Sequence, residues 1–147
     1  MCPICDGKSY EETIADLHAC IERHGWAVQG VDGSRPWAYT VGLAERFDHP
    51  ELVLAGVPWR AAVPVLNALG TMVAVGEVLA PGREPVLVGE VELAVGAVHP
   101  VHLANGLIAM WDAHYDAYPP APRRAVVQVL ALPGRRLPLD RPHTSLD

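Results

Sequence analysis

Pro36-Trp37-Ala38-Tyr39-Thr40-Val41-Gly42-Leu43, followed by His49-Pro50-Glu51-Leu52-Val53-Leu54, is the stretch whose reading decides the fold. Both runs are rich in aromatic and β-branched residues, which favour a pleated, half-buried surface. A strand over the first run places Trp37, Tyr39 and Val41 on one face and Ala38, Thr40 and Gly42 on the other. Two rings, two hydroxyls, an imidazole and a carboxylate lie within these few residues. If the Trp37 face is buried, the Tyr39 hydroxyl needs a hydrogen-bond partner. His49 or Glu51 is the nearest source in sequence.

Upstream, residues 26–31 read as another strand, joined to the first by the turn residues Asp32-Gly33-Ser34-Arg35-Pro36. So short a connection implies antiparallel pairing. Ser9 with Glu12 forms a capping-box pattern. Ile14, Leu17 and Ile21 follow at helical spacing, Arg23 and His24 suit a helix C-terminus, and Gly25 supplies a left-handed cap. A helix over 9–24 follows. Downstream, 52–57 reads as a third strand. Pro58 and Trp59 open a helix to about Val75, with Pro64 near enough to its start to be tolerated. Residues 86–88 and 91–98 form a hairpin. A third helix is expected from Pro100 to about Tyr115, and a final strand over 125–132. The order α-β-β-β-α-β-β-α-β predicts a single α+β domain over 1–132. Its sheet is mainly antiparallel or mixed, with helices packed on one side. Residues 133–147 read as a Pro/Arg-rich tail.

The net charge of -6, from 11 basic and 17 acidic residues, argues against a nucleic-acid binder, which needs a basic footprint. Arg123-Arg124 and Arg135-Arg136 read as solvated loop charges. No apolar run nears the ~20 residues that span a membrane, and Met1-Cys2-Pro3-Ile4-Cys5 does not read as a secretory signal. A cytoplasmic protein is expected.

Cys2-x2-Cys5 carries half of a zinc-ligand spacing, and His18 and His24 extend it formally to Cys-x2-Cys-x12-His-x5-His. However, six residues on a helix turn the chain about 240°, so the two histidines diverge. The finger's aromatic residue is also missing, and Cys20 lies only two residues from His18. The reading assigns no metal residues and no cofactor; zinc at Cys2/Cys5 is the minor alternative. His99-x2-His102 shares a helix face but lacks a third ligand nearby in sequence, and helix capping explains it structurally. Walker, Gly-x-Gly-x-x-Gly, Gly-x-Ser-x-Gly and His-Glu-x-x-His motifs are all absent.

Several blocks resemble the family of bacterial proteins termed domain of unknown function 4262: Cys2-x2-Cys5-Asp6, His24-Gly25-Trp26-Ala27-Val28-Gln29, Tyr39-Thr40-Val41-Gly42-Leu43, His49-Pro50-Glu51-Leu52 and Leu66-Asn67. The likeness is strongest over 1–75. In the closing Gly134–Asp140 block, leucines stand where the family has aromatics, and Gln128-Val129-Leu130 departs from its usual Leu-Val-Trp/Tyr. The resemblance implies a small bacterial domain and marks Trp26, Tyr39, Thr40, His49 and Glu51 as defining positions. It names no reaction.

Two functional readings follow. In the first, the chain is a cofactor-independent acid/base enzyme acting on an apolar or aromatic metabolite, as in natural-product isomerisation, dehydration or cyclisation. Tyr39 and His102 exchange protons, Glu51 or His49 orients one of them, and Trp37, Thr40, Trp111 and Trp26 contact the small-molecule ligand. In the second, it is a non-catalytic binding or interaction module whose aromatics are core, with an N-terminus that zinc would clip. The Val/Ala-rich helix over 61–75 allows a homodimer interface. Convergence of Tyr39, His49, Glu51 and His102 on a cavity separates the first reading from the second.

Overall fold

The computed structural model describes residues 9–131. The tail over 133–147 and the Cys2/Cys5 pair lie outside the described residues. The chain runs α1 (Tyr10–His24), β1 (Ala27–Val31), β2 (Trp37–Val41), α2 (Leu43–Phe47), β3 (Glu51–Ala55), α3 (Trp59–Ala74), β4 (Val86–Val88), β5 (Val91–Ala97), α4 (Pro100–Ala104), α5 (Ala109–Ala117) and β6 (Val126–Ala131).

The local signals at α1 act as expected. The Ser9 hydroxyl accepts from the Glu12 amide at 3.2 Å, and the Ser9 amide donates to the Glu12 carboxylate at 3.3 Å. Gly25 closes the helix at φ 93°, where a side chain would be strained.

One six-stranded mixed sheet, ordered β1-β2-β3-β6-β5-β4, forms the centre. β1–β2–β3 is one antiparallel meander and β4–β5–β6 another. They join through parallel pairing of β3 with β6, in register Leu52↔Val127. β3 and β6 thus take central positions. That suits sequences such as Glu51-Leu52-Val53-Leu54-Ala55, in which every residue is buried.

The α+β class and the order of the expected elements hold. The helices, however, divide between the two faces rather than lying on one. Ile14, Leu17 and Ile21 of α1 and Met110, Trp111 and Tyr115 of α5 pack on Tyr39, Val41 and Val53. Leu66, Leu69 and Val73 of α3 pack on Ala38, Leu52, Leu54, Val127 and Val129. The cause is in β2 and β3, whose odd and even positions are both apolar or small, so both faces require cover.

Two further differences position the site. The helix expected over 100–115 is two short helices, because Asn105-Gly106 turns the chain between them, with Gly106 at φ 87°. The stretch expected as a plain turn between β2 and β3 holds the short helix α2, whose capping group comes from β3.

Candidate functional site

Glu51 is fully buried and stands at the N-terminus of α2. Its Oε1 accepts from the Thr40 hydroxyl at 2.8 Å and the Leu43 amide at 3.1 Å. Its Oε2 accepts from the Gly42 amide at 3.0 Å, the Ala44 amide at 3.2 Å and the Trp111 indole N–H at 2.9 Å. All five donors are neutral. Burial pushes the Glu51 pKa up, opposed by the bonds from Trp111, Thr40, Gly42 and Ala44. The stereochemistry favours the carboxylate, since a carboxylic acid needs an acceptor for its proton and four of the five neighbours are N–H groups that only donate. Glu51 therefore caps α2 from outside the helix, where free amides and the positive end of the dipole favour an anion. The cap also needs Gly42, at φ 122°; a Cβ there would lie 2.8 Å from the Gly25 carbonyl.

The neighbouring groups are engaged in the same way. Thr40 also accepts from the Leu52 amide at 2.9 Å. The Tyr39 partner is neither His49 nor Glu51: its hydroxyl accepts from the Met110 amide at 2.8 Å, at the start of α5. Burial is the main cause that drives the Tyr39 pKa far up. The Trp37 indole donates to the Leu107 carbonyl at 2.9 Å. The side chains of one β2 face thus satisfy backbone groups released by the α4–α5 break. His49 is bonded through Nδ1 to the Pro50 carbonyl at 2.7 Å and accepts the Leu79 amide on Nε2 at 2.9 Å, which sets the Nδ1–H tautomer. It borders a pocket of only about 30 Å³, room for a water. His99 caps α4 through the Val101 amide, and His102 is buried in α4. The structure gathers Thr40, Glu51 and Trp111 into one knot, sets Tyr39 beside it through Met110, and leaves His49, just before Glu51 at the same end of β3, bonded instead to Pro50 and Leu79.

Sequence reasoning missed a pair ninety-six residues apart. His18 Nδ1 of α1 lies 3.1 Å from His114 Nε2 of α5, and Tyr118 stacks on His18 at 3.8 Å with nearly parallel rings. His114 is 1% exposed. Its Nδ1 is the one buried side-chain N or O atom without a partner among the described residues. Burial, then the neighbouring His18, push its pKa down. Tyr115, beside it, donates to Glu45 at 2.9 Å. No local signal marks this cluster.

The larger opening lies elsewhere. A groove of about 460 Å³ runs between α1, the start of β1 and α3, lined by Cys20, His24, Trp26, Ala27, Val28, Val63 and Asn67. Its volume is in the range of small-molecule sites. Trp26 is held there by the bond from its N–H to the Asn67 side-chain oxygen at 3.0 Å. It also lies against Gly70, where a Cβ would stand 2.5 Å from the indole. Of the ligand contacts expected from sequence, Trp26 lines this groove. Thr40 and Trp111 are core, and Trp37 is half-buried against Leu107. No group of three or more metal-binding side chains occurs among the described residues, and no helix among them is long and apolar enough to cross a membrane.

The family model described as "Domain of unknown function (DUF4262)" matches residues 20–141, most of the chain. No curated protein and no solved structure matches. The match takes in the strand β2, the Glu51 knot, α3 and the Gly134–Asp140 block, and the chain belongs to this family.

Proposed function

We propose that the domain is a non-catalytic binding module that takes a small apolar or aromatic molecule in the Trp26 groove. One observation carries this reading: the groups suited to acid–base chemistry hold backbone amides in place. Tyr39 is on Met110, Glu51 on Gly42, Leu43 and Ala44, and His49 on Leu79. A general base must reach the substrate's proton, and the ring of donors around Glu51 leaves it no room to do so. The groove has the opposite character. Trp26, Val28 and Val63 give it apolar walls, and Asn67 and His24 give it polar tips.

The test is a panel of aromatic and aliphatic acids, amines and indoles, screened by saturation-transfer NMR against the wild type and Val63→Trp. The bulky residue on half-buried Val63 fills the groove without entering the core. Binders of the wild type lose contact with the variant. Binding that survives Val63→Trp, or turnover of any panel member that is lost in Tyr39→Phe, overturns the proposal.

A further inference from the structure

Asn67 of α3 has two polar ends, and Trp26 occupies only one of them. An indole N–H can only donate, so the atom that meets it at 3.0 Å is the Asn67 oxygen, and this fixes the orientation of the amide. The Asn67 NH2 makes no hydrogen bond among the described residues, and Asn67 is an exposed residue of the groove wall. The indole is also held from two other sides. A Cβ on Gly70 would stand 2.5 Å from it, so that glycine is what lets the ring lie so close to α3, and Phe47 meets it edge-on at 6.3 Å. Trp26 is therefore a fixed apolar wall whose N–H is already used. The Cys20 thiol is turned to the Trp26 carbonyl at 3.8 Å. The groove thus offers a ligand the NH2 of Asn67 and, on the exposed last turn of α1, the imidazole of His24. Among the described residues no acidic side chain lines it, in a chain that carries 17 of them.

We propose that the groove selects an aromatic carboxylic acid, with its ring against Trp26 and Val63 and a carboxylate oxygen on the Asn67 NH2. The inference rests on the groove being a small-molecule site; it adds the class of molecule and the residue that chooses it. A ring offset-stacked on a fixed indole gains contact area without ordering a mobile side chain. The amide then discriminates by the polar group the ring carries. A carboxylate accepts from the NH2, and the bond is charge-assisted. An amine on the same ring sets donor against donor, and neither group can accept. The C-terminal end of a helix dipole disfavours an anion, and α1 ends at this groove; Arg23 and His24 in its last turn supply the opposing positive charge. Asn67 thus has two tasks. Its oxygen holds the wall in place, and its nitrogen reads the ligand.

The experiment titrates the full chain with matched pairs of ligands, each an acid and an amine on the same ring and linker, built on benzene, naphthalene and indole. Affinity is read from amide chemical shifts in NMR, and the Trp26 indole N–H resonance reports whether its bond to Asn67 persists. The wild type binds the acid of a pair about 10- to 100-fold more tightly than the amine, the range that one hydrogen bond to a charged group supplies. Asn67→Asp is the decisive variant. It keeps an acceptor for the Trp26 N–H and exchanges the NH2 donor for a second, charged acceptor, at an exposed position. The preference then reverses toward the amine while the indole resonance stays that of a bonded N–H. Equal affinity for acid and amine in the wild type overturns the proposal. So does a preference for the acid that survives Asn67→Asp with the indole bond intact. Ligands that bind, lose contact in Val63→Trp and ignore the polar group leave the groove as a small-molecule site and remove only its selectivity. If no pair gives binding that Val63→Trp abolishes, the groove reading itself falls.

Discussion

Replacing Glu51 by glutamine separates a cap from a catalyst. The substitution keeps the size of the side chain and exchanges one acceptor oxygen for an NH2 group. In its better orientation the remaining oxygen keeps the three donors now on Oε2: Gly42, Ala44 and Trp111. The amide nitrogen then faces the Leu43 amide and Thr40. Thr40 can rotate to accept, but Leu43 cannot. The losses are one orphaned buried N–H and the charge assistance of the bonds that remain, together about 3–5 kcal/mol at about 1–3 kcal/mol for each such loss. For a chain of this size that lowers Tm by roughly 6–20 °C. Urea denaturation measures the loss, and amide hydrogen exchange locates it, with Gly42, Leu43 and Ala44 losing protection first. A catalytic carboxylate would behave otherwise, with an unchanged denaturation midpoint and abolished turnover. A glutamine variant with wild-type stability and unaltered exchange at 42–44 refutes the capping argument.

Two further outcomes follow from the same geometry. Tyr39→Phe leaves the Met110 amide without its buried acceptor and lowers stability by about 1–3 kcal/mol in urea denaturation, while ligand contact in the Trp26 groove is unchanged. His114→Phe removes the orphaned Nδ1 and flattens the acid limb of the stability curve. The sign follows from its lowered native pKa. The unfolded chain binds the proton first, so the wild type is at full strength above the unfolded value of about 6.5 and weakens as pH falls below it. Thermal unfolding between pH 5 and 7 measures the difference.

What the sequence made legible was local. Ser9 with Glu12, and Gly25, set the bounds of α1 because a cap is made by residues within one turn of the helix end. The alternation of Trp37, Tyr39 and Val41 foretold their common burial face. The Asn105-Gly106 break between α4 and α5 is equally local, a turn signal with Gly106 at φ 87° inside the stretch expected as one helix. The remainder depended on contacts that no short window contains. Trp111 reaches Glu51 across sixty residues, His18 reaches His114 across ninety-six, and β6 enters beside β3 only once the second meander exists. The segment over 36–54 looked like an active site because polar groups are concentrated in it. Density does not disclose direction: those groups point at backbone amides in α2, α5 and the stretch before β4.

If Tyr39 and Glu51 are two fasteners of one element, their effects on stability cannot be independent. Tyr39 holds the backbone of α5 at Met110, and Glu51 holds its next residue through the Trp111 indole. Once either is lost, the first turn of α5 is free to shift, and the second bond has less left to hold. The double variant Tyr39→Phe/Glu51→Ala, in which the acceptor of the Trp111 indole is removed outright, is therefore expected to lose less than the sum of the single losses, with a coupling of about 0.5–3 kcal/mol by double-mutant cycle. The Glu51 bonds to Gly42, Leu43 and Ala44 lie outside this shared element, so the coupling stays smaller than the full Glu51 effect. Strict additivity would mean that α5 does not move as a unit and that the two side chains fasten separate parts of the fold.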